Sequence, residues 1–119
     1  MITAKQVNEV YQSGELRKSI HWERVLELMK TDLGTVDFAR RLCKSFGVYR
    51  PEQIGLLKIL GEWEEPTTGD LVELLGDLPA ENVHQLLRWA DLLGLAQPFG
   101  NSQWRVDPVV GQAVKSAGI

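Results

Sequence analysis

Two histidines and one cysteine are the residues best suited to metal or nucleophilic chemistry, and their spacing decides what they do. His21 and His84 lie 63 positions apart, and Cys43 stands alone. No His-x-x-x-His, Cys-x-x-Cys or carboxylate–histidine spacing supplies three or four ligands, so no metal site and no cofactor are expected. Cys43 falls on one helical stripe with Ala39 and Phe46, which makes it a small core residue rather than a nucleophile. Glu62, Glu64 and Glu65 form an acidic cluster without a pocket to raise their pKa, and read as a solvated loop. No glycine-rich loop precedes a helix in phosphate-binding form; Gly69, Gly76 and Gly94 read as helix boundaries. The chemistry expected of this chain is recognition, not catalysis. His84 is the one titrating group expected to face outward from a helix.

Charge sharpens that expectation. The 119 residues carry 13 Lys/Arg and 16 Asp/Glu, a net charge of −3. Residues 1–50 hold nine basic against six acidic residues, whereas residues 51–119 hold four against ten. Halves of net +3 and −6 imply two surfaces with different jobs. Arg40, Arg41, Lys44 and Arg50 lie within eleven residues as a basic patch opposed only by Asp37. Such a patch suits an acidic protein or nucleic acid, and is otherwise a solvated helix face. Apolar runs of two or three residues cannot span a membrane. The first residues show no signal-peptide pattern, and the lone cysteine suits a reducing cytoplasm.

Helical periodicity supplies the elements that position these residues. Thr3 and Gln6 have capping-box form, and Val7, Val10 and Tyr11 follow on one face until Gly14. Trp22, Val25, Leu26 and Met29 carry a second helix, and Thr35 is expected to cap a third that buries Phe38, Ala39, Leu42, Cys43 and Phe46. Gly47 fits a left-handed cap. Pro51 to about Trp63 forms the fourth helix, with Trp63 on its core stripe. Thr67 and Asp70 open a fifth, and Pro79 at the first turn opens a sixth that ends at Gly94. The period then changes: residues 95–99 and 103–106 flank the turn cluster Gly100-Asn101-Ser102 as a hairpin. Asp107-Pro108 starts a last helix.

Helix, short helix, tight turn, longer helix and hairpin is an order that resembles the winged helix-turn-helix superfamily. Leu71-Val72-Glu73-Leu74-Leu75-Gly76 with Asp77-Leu78-Pro79-Ala80-Glu81-Asn82-Val83 is similar to that superfamily's second helix and turn. Leu86-Leu87-Arg88-Trp89-Ala90-Asp91-Leu92-Leu93-Gly94-Leu95-Ala96 is similar to its third helix running into the first wing strand. The resemblance spans about residues 51–108 and points to no individual family. The expected fold is therefore mainly α: a winged helix over 51–119, with three additional helices in residues 1–50 packed on it as a single folded unit.

Two modes of action follow from the resemblance. In DNA-binding members the third helix enters the major groove and the wing touches phosphate. Carried onto this chain, the helix would present Glu81, Asn82, His84, Gln85 and Arg88, and the wing Asn101, Ser102, Gln103 and Arg105. Residues 79–107 contain only Arg88 and Arg105 against Glu81, Asp91 and Asp107, thin anchoring for a phosphate backbone. The favoured expectation is a non-catalytic module that binds another protein, as a subunit of a complex or a regulator. A DNA-binding regulator using helix 79–93 and wing 99–106 is the alternative. Trp89 lies off its helix's apolar stripe and Trp104 sits in the wing, so both are candidate contact residues. The helix at 35–46 is a candidate for homodimer formation.

Overall fold

A computed structural model describes residues 2–14 and 20–118, so residues 15–19, within the stretch between the first two expected helices, lie outside the described residues. The described residues form α1 (Ala4–Ser13), α2 (Trp22–Leu28), α3 (Thr35–Ser45), α4 (Pro51–Glu62), α5 (Thr68–Leu74), α6 (Ala80–Leu93), β1 (Ala96–Phe99), β2 (Gln103–Val106) and α7 (Pro108–Ser116). The architecture is mainly helical with one small antiparallel hairpin. No helix among the described residues is long and apolar enough to cross a membrane.

Local hydrogen bonding sets most element ends. Thr3 and Gln6 exchange side-chain and backbone bonds at the start of α1, and Thr67 and Asp70 do the same for α5. Asp107 is buried, and its carboxylate accepts from the Val109 N–H at 2.9 Å to start α7. Two expected starts shift by one residue. Gly34, not Thr35, is the N-cap of α3: its backbone is extended (φ −61°, ψ 155°) and its carbonyl accepts from the Phe38 N–H at 2.7 Å. Pro79 likewise stands outside α6 with ψ 147°, and its carbonyl accepts the Val83 N–H. In both cases the residue with extended ψ precedes the first helical turn.

One apolar cluster takes side chains from every helix. Phe38, Ala39, Leu42 and Cys43 of α3 meet Val109, Val110, Ala113 and Val114 of α7, which also packs along Leu56, Leu57 and Leu60 of α4. Helix α7 thus lies against both halves of the chain. Gly61 and Gly111 let α4 and α7 come close; a Cβ on Gly61 would stand 3.8 Å from the Gly111 Cα. The apolar stripe of α3 is consumed by this core, leaving Val36 as its exposed large apolar side chain.

The tryptophans sort differently from expectation at one position. Trp22 is buried and tilts against Tyr11, with ring centroids 4.9 Å apart. Trp63, expected on the core stripe of α4, is 50% exposed. The helix ends at Glu62, and the extended backbone at its C-cap Trp63 (φ −102°, ψ 140°) carries the following chain off the helical path.

The hairpin pairs Ala96 with Val106, Gln97 with Arg105, Pro98 with Trp104 and Phe99 with Gln103. Opposed residues share a face, so Pro98 and Trp104 lie on one side and Phe99, Gln103 and Arg105 on the other. Residues 66–68 extend this edge. The Trp104 N–H donates to the Pro66 carbonyl and the Thr68 N–H to the Ser102 carbonyl, both at 2.9 Å. An antiparallel bridge joins Thr67 and Gln103.

Candidate interaction surface

Helix α6 is amphipathic along its whole length. Val83, Leu87, Ala90 and Leu93 are buried, while Glu81, Asn82, His84, Gln85, Arg88 and Leu92 are exposed. The side chains expected to face outward therefore do so. Leu92 is the exception in chemistry: it is 76% exposed on the same stripe as Gln85 and Arg88. A helical period places Leu92 one turn beyond Trp89 and Arg88, so apolar and cationic groups share one end of the face.

A groove runs beside this face. Arg50, Glu52 and Gln53, at the start of α4, line it opposite Gln85, Leu86 and Trp89 of α6, enclosing about 280 Å³ with one cation and one carboxylate in the lining. The side of α4 is tied down by Gln53, whose Oε1 accepts the N–H groups of both Tyr49 and Arg50 at 2.9 Å. The preceding turn is set by Gly47, whose φ of +88° is left-handed and whose α-carbon faces the His21 ring and Leu93. Tyr49, 56% exposed, leads directly into Arg50. Sequence spacing places Arg50 in the N-terminal patch and Trp89 on a separate helix. Their juxtaposition has no signal in spacing, because it arises only where the fold brings the start of α4 to the same groove as α6. Helical periodicity marks neither Tyr49 nor Leu92 as a contact residue; the available sign is a large apolar group at an outward position.

The basic residues divide. Arg41 and Lys44 are exposed on α3, whereas the Arg40 Nε–H donates to the Ala117 carbonyl at the end of α7 at 3.3 Å. Arg50 joins the α4–α6 groove. It approaches Glu52 at 3.8 Å with three-quarters of its side chain exposed, a weak pair in water.

The hairpin is engaged internally. The Arg105 guanidinium donates to the Glu65 carboxylate at 2.6 Å and lies over the Phe99 ring, 4.2 Å from its centre. Glu65, expected in a solvated acidic loop, is thus held by a partner forty positions away, because the backbone turn at Glu65 (φ +49°) sits beside β2. Trp104, expected as a contact residue, is half-buried on the inner side of the hairpin. Its indole N–H donates to the Thr68 hydroxyl at 2.9 Å, so it braces β2 against α5. Asn101 and Ser102 are exposed at the tip, where Ser102 takes a left-handed φ of +60°.

Cys43 is buried, and loss of hydration pushes its thiol up to about 12, partly offset by a backbone hydrogen bond. No group of three or more His, Cys, Asp or Glu positioned to hold a metal ion occurs among the described residues. No family model, curated protein or solved structure matches this chain.

Proposed function

We propose that residues 51–108 form a winged helix-turn-helix and that the chain is a non-catalytic module that binds another protein through the outer face of α6 and its adjoining groove. The order α4, α5, α6, β1, β2 and the Thr67–Gln103 bridge beside the hairpin support the fold reading. The functional reading rests on one observation: Arg105, the hairpin's only Lys or Arg, is already occupied by Glu65 at 2.6 Å. Helix α6 then offers Arg88 against Glu81 and Asp91. Each phosphate neutralised contributes a slope of about −0.9 to the dependence of log affinity on log salt. One or two arginines therefore supply a small part of what a duplex-binding protein gains from six to ten contacts. A half-buried tryptophan and an exposed arginine on one helix are instead residue types enriched at protein interfaces, and Leu92 adds exposed apolar area beside them.

The test places a photo-activated cross-linking residue at position 92, and at position 58 as a control, in cells that produce the protein. A discrete adduct with a second protein from position 92 alone is expected. In parallel, a labelled mixed-sequence duplex is titrated at low and physiological salt, with no binding expected at micromolar protein. Duplex binding with a steep salt slope that is lost in Arg88→Ala and Gln85→Ala would overturn the reading in favour of DNA.

A further inference from the structure

The exposed face of α6 carries charges of both signs. Glu81, Gln85, Arg88 and Leu92 are all exposed, and at about 100° per residue they fall within about 60° of the helix circumference. The stripe thus holds one carboxylate and one cation. Seven residues separate them, about 10.5 Å along the axis, too far for the two to meet within one helix. Neither makes an ion pair with another described residue. The charges beside the stripe are already engaged: Arg50 with Glu52 at 3.8 Å, and Asp91 elsewhere within the chain. The unmet charges of the stripe are therefore one of each sign, which a partner of a single sign cannot satisfy.

Resting on the protein-binding reading above, we infer that this face pairs with a second copy of the chain, the two α6 helices running antiparallel about a two-fold axis. In such an isologous contact residue i meets residue j, and j meets i. An axis passing between His84 and Gln85 sets Glu81 of each copy against Arg88 of the other, so the ion pair forms twice. The same register brings Leu92, 76% exposed, level with the turn that precedes the other copy's α6. Leu78 in that turn is half-buried and lines the α4–α6 groove, and Leu74 at the end of α5 is an exposed large apolar side chain. Leu92 meets apolar groups there and loses its contact with water. Asp77 in the same turn is exposed and stays at the solvated rim.

The net charge of −3 on each chain opposes self-association. That repulsion is spread over the surface and screened beyond about 8 Å at physiological salt, whereas the Glu81–Arg88 contacts lie within that length. Helix α6 has 14 residues, a face of about 21 Å by 10–12 Å, well below the ~800 Å² per partner of a standard interface. The dimer is accordingly weak and reversible, with dissociation in the micromolar to submillimolar range.

Sedimentation equilibrium of the full chain, from micromolar to millimolar protein, should report a mass rising from 13.4 kDa toward twice that value. Glu81→Arg and Arg88→Glu should each weaken the dimer by about tenfold or more, because each sets like charges opposite one another twice. An equal mixture of these two variants should recover association, since one copy then brings two cations to the other's two carboxylates. Recovery also shows that both variants are folded. Leu92→Asp should weaken the parent dimer by a similar factor. Lys58→Glu, which shifts the net charge from α4 as much as Arg88→Glu does from α6, should leave it within about twofold. A monomer throughout overturns the inference, as does a mixture that associates no better than either variant alone, or an equal loss in Lys58→Glu. The cross-linker at position 92 separates this failure from failure of the protein-binding reading. An adduct of twice the chain's mass supports the second copy; an adduct with a different protein rejects it and leaves that reading standing; no adduct rejects both.

Discussion

Replacing Gly47 with alanine tests how the joint between α3 and α4 positions Tyr49 and Arg50. Two costs follow from the structure. Gly47 has φ +88°, and an L-residue held in the left-handed region loses about 1–2 kcal/mol. A Cβ there would also stand 2.9 Å from the His21 Cδ2 and 3.4 Å from the Leu93 Cδ1. The imidazole ring must move to admit it, an overpacking cost of about 1 kcal/mol. Together Gly47→Ala should lose about 2–3 kcal/mol. With a urea m-value of about 1–3 kcal/mol/M for a chain of this class, the unfolding midpoint should fall by about 0.7–3 M. Equilibrium unfolding of Gly47→Ala, His21→Ala and the double variant separates the two costs. The ring clash should appear as a coupling of about 1 kcal/mol, with the backbone cost persisting in the double variant. A Gly47→Ala protein within 0.5 kcal/mol of the parent would refute the reasoning, since the joint would then tolerate a right-handed backbone.

Two further outcomes are expected. Gly61→Ala should stabilise the protein by about 0.5–1 kcal/mol, because its Cβ meets Gly111 at an ordinary 3.8 Å and helix propensity improves; Gly61→Leu should instead destabilise by about 1–3 kcal/mol by forcing α4 from α7, both read by urea unfolding. Cys43 should resist a thiol reagent at pH 8 until denaturant is added. Its thiol pKa is raised by burial from 9.0 to about 12, so the native state holds the proton that the unfolded state releases; stability is intact below pH 9 and falls as pH rises toward 12. The difference in this alkaline slope between the parent and Cys43→Ala measures the cysteine's share, and an identical slope would reject it.

Much of the helical layout was legible because it is governed over three or four residues. The Thr3–Gln6 and Thr67–Asp70 capping boxes, the Asp107 cap and the left-handed Gly14, Gly47 and Gly94 each act within one helical turn. Buried stripes such as Phe38–Ala39–Leu42–Cys43 and Val83–Leu87–Ala90 follow from the 3.6-residue period alone. Shifts at Gly34 and Pro79 are errors of one residue at boundaries where backbone angles, not side-chain type, decide. The outward positions of Asn82, His84, Gln85 and Arg88 were legible for the same reason as the stripe they oppose.

The candidate surface was legible only in pieces. Periodicity says which way a side chain faces on its own helix and nothing of what stands opposite. Trp63 left its predicted stripe because α4 stops one residue early. Trp104 turned inward because Thr68, 36 positions away, receives its N–H. Arg105 lost its freedom to Glu65 across 40 positions, and Arg40 met the end of α7 across 77. By itself the sequence determined the elements, their capped ends and the charge contrast between the two halves, all set by local bonding and composition. Only the tertiary structure decided which polar and charged groups are already held within the chain. That choice depends on contacts of the hairpin with residues 65–68 and of α3 with the end of α7, which packing creates and no local pattern encodes.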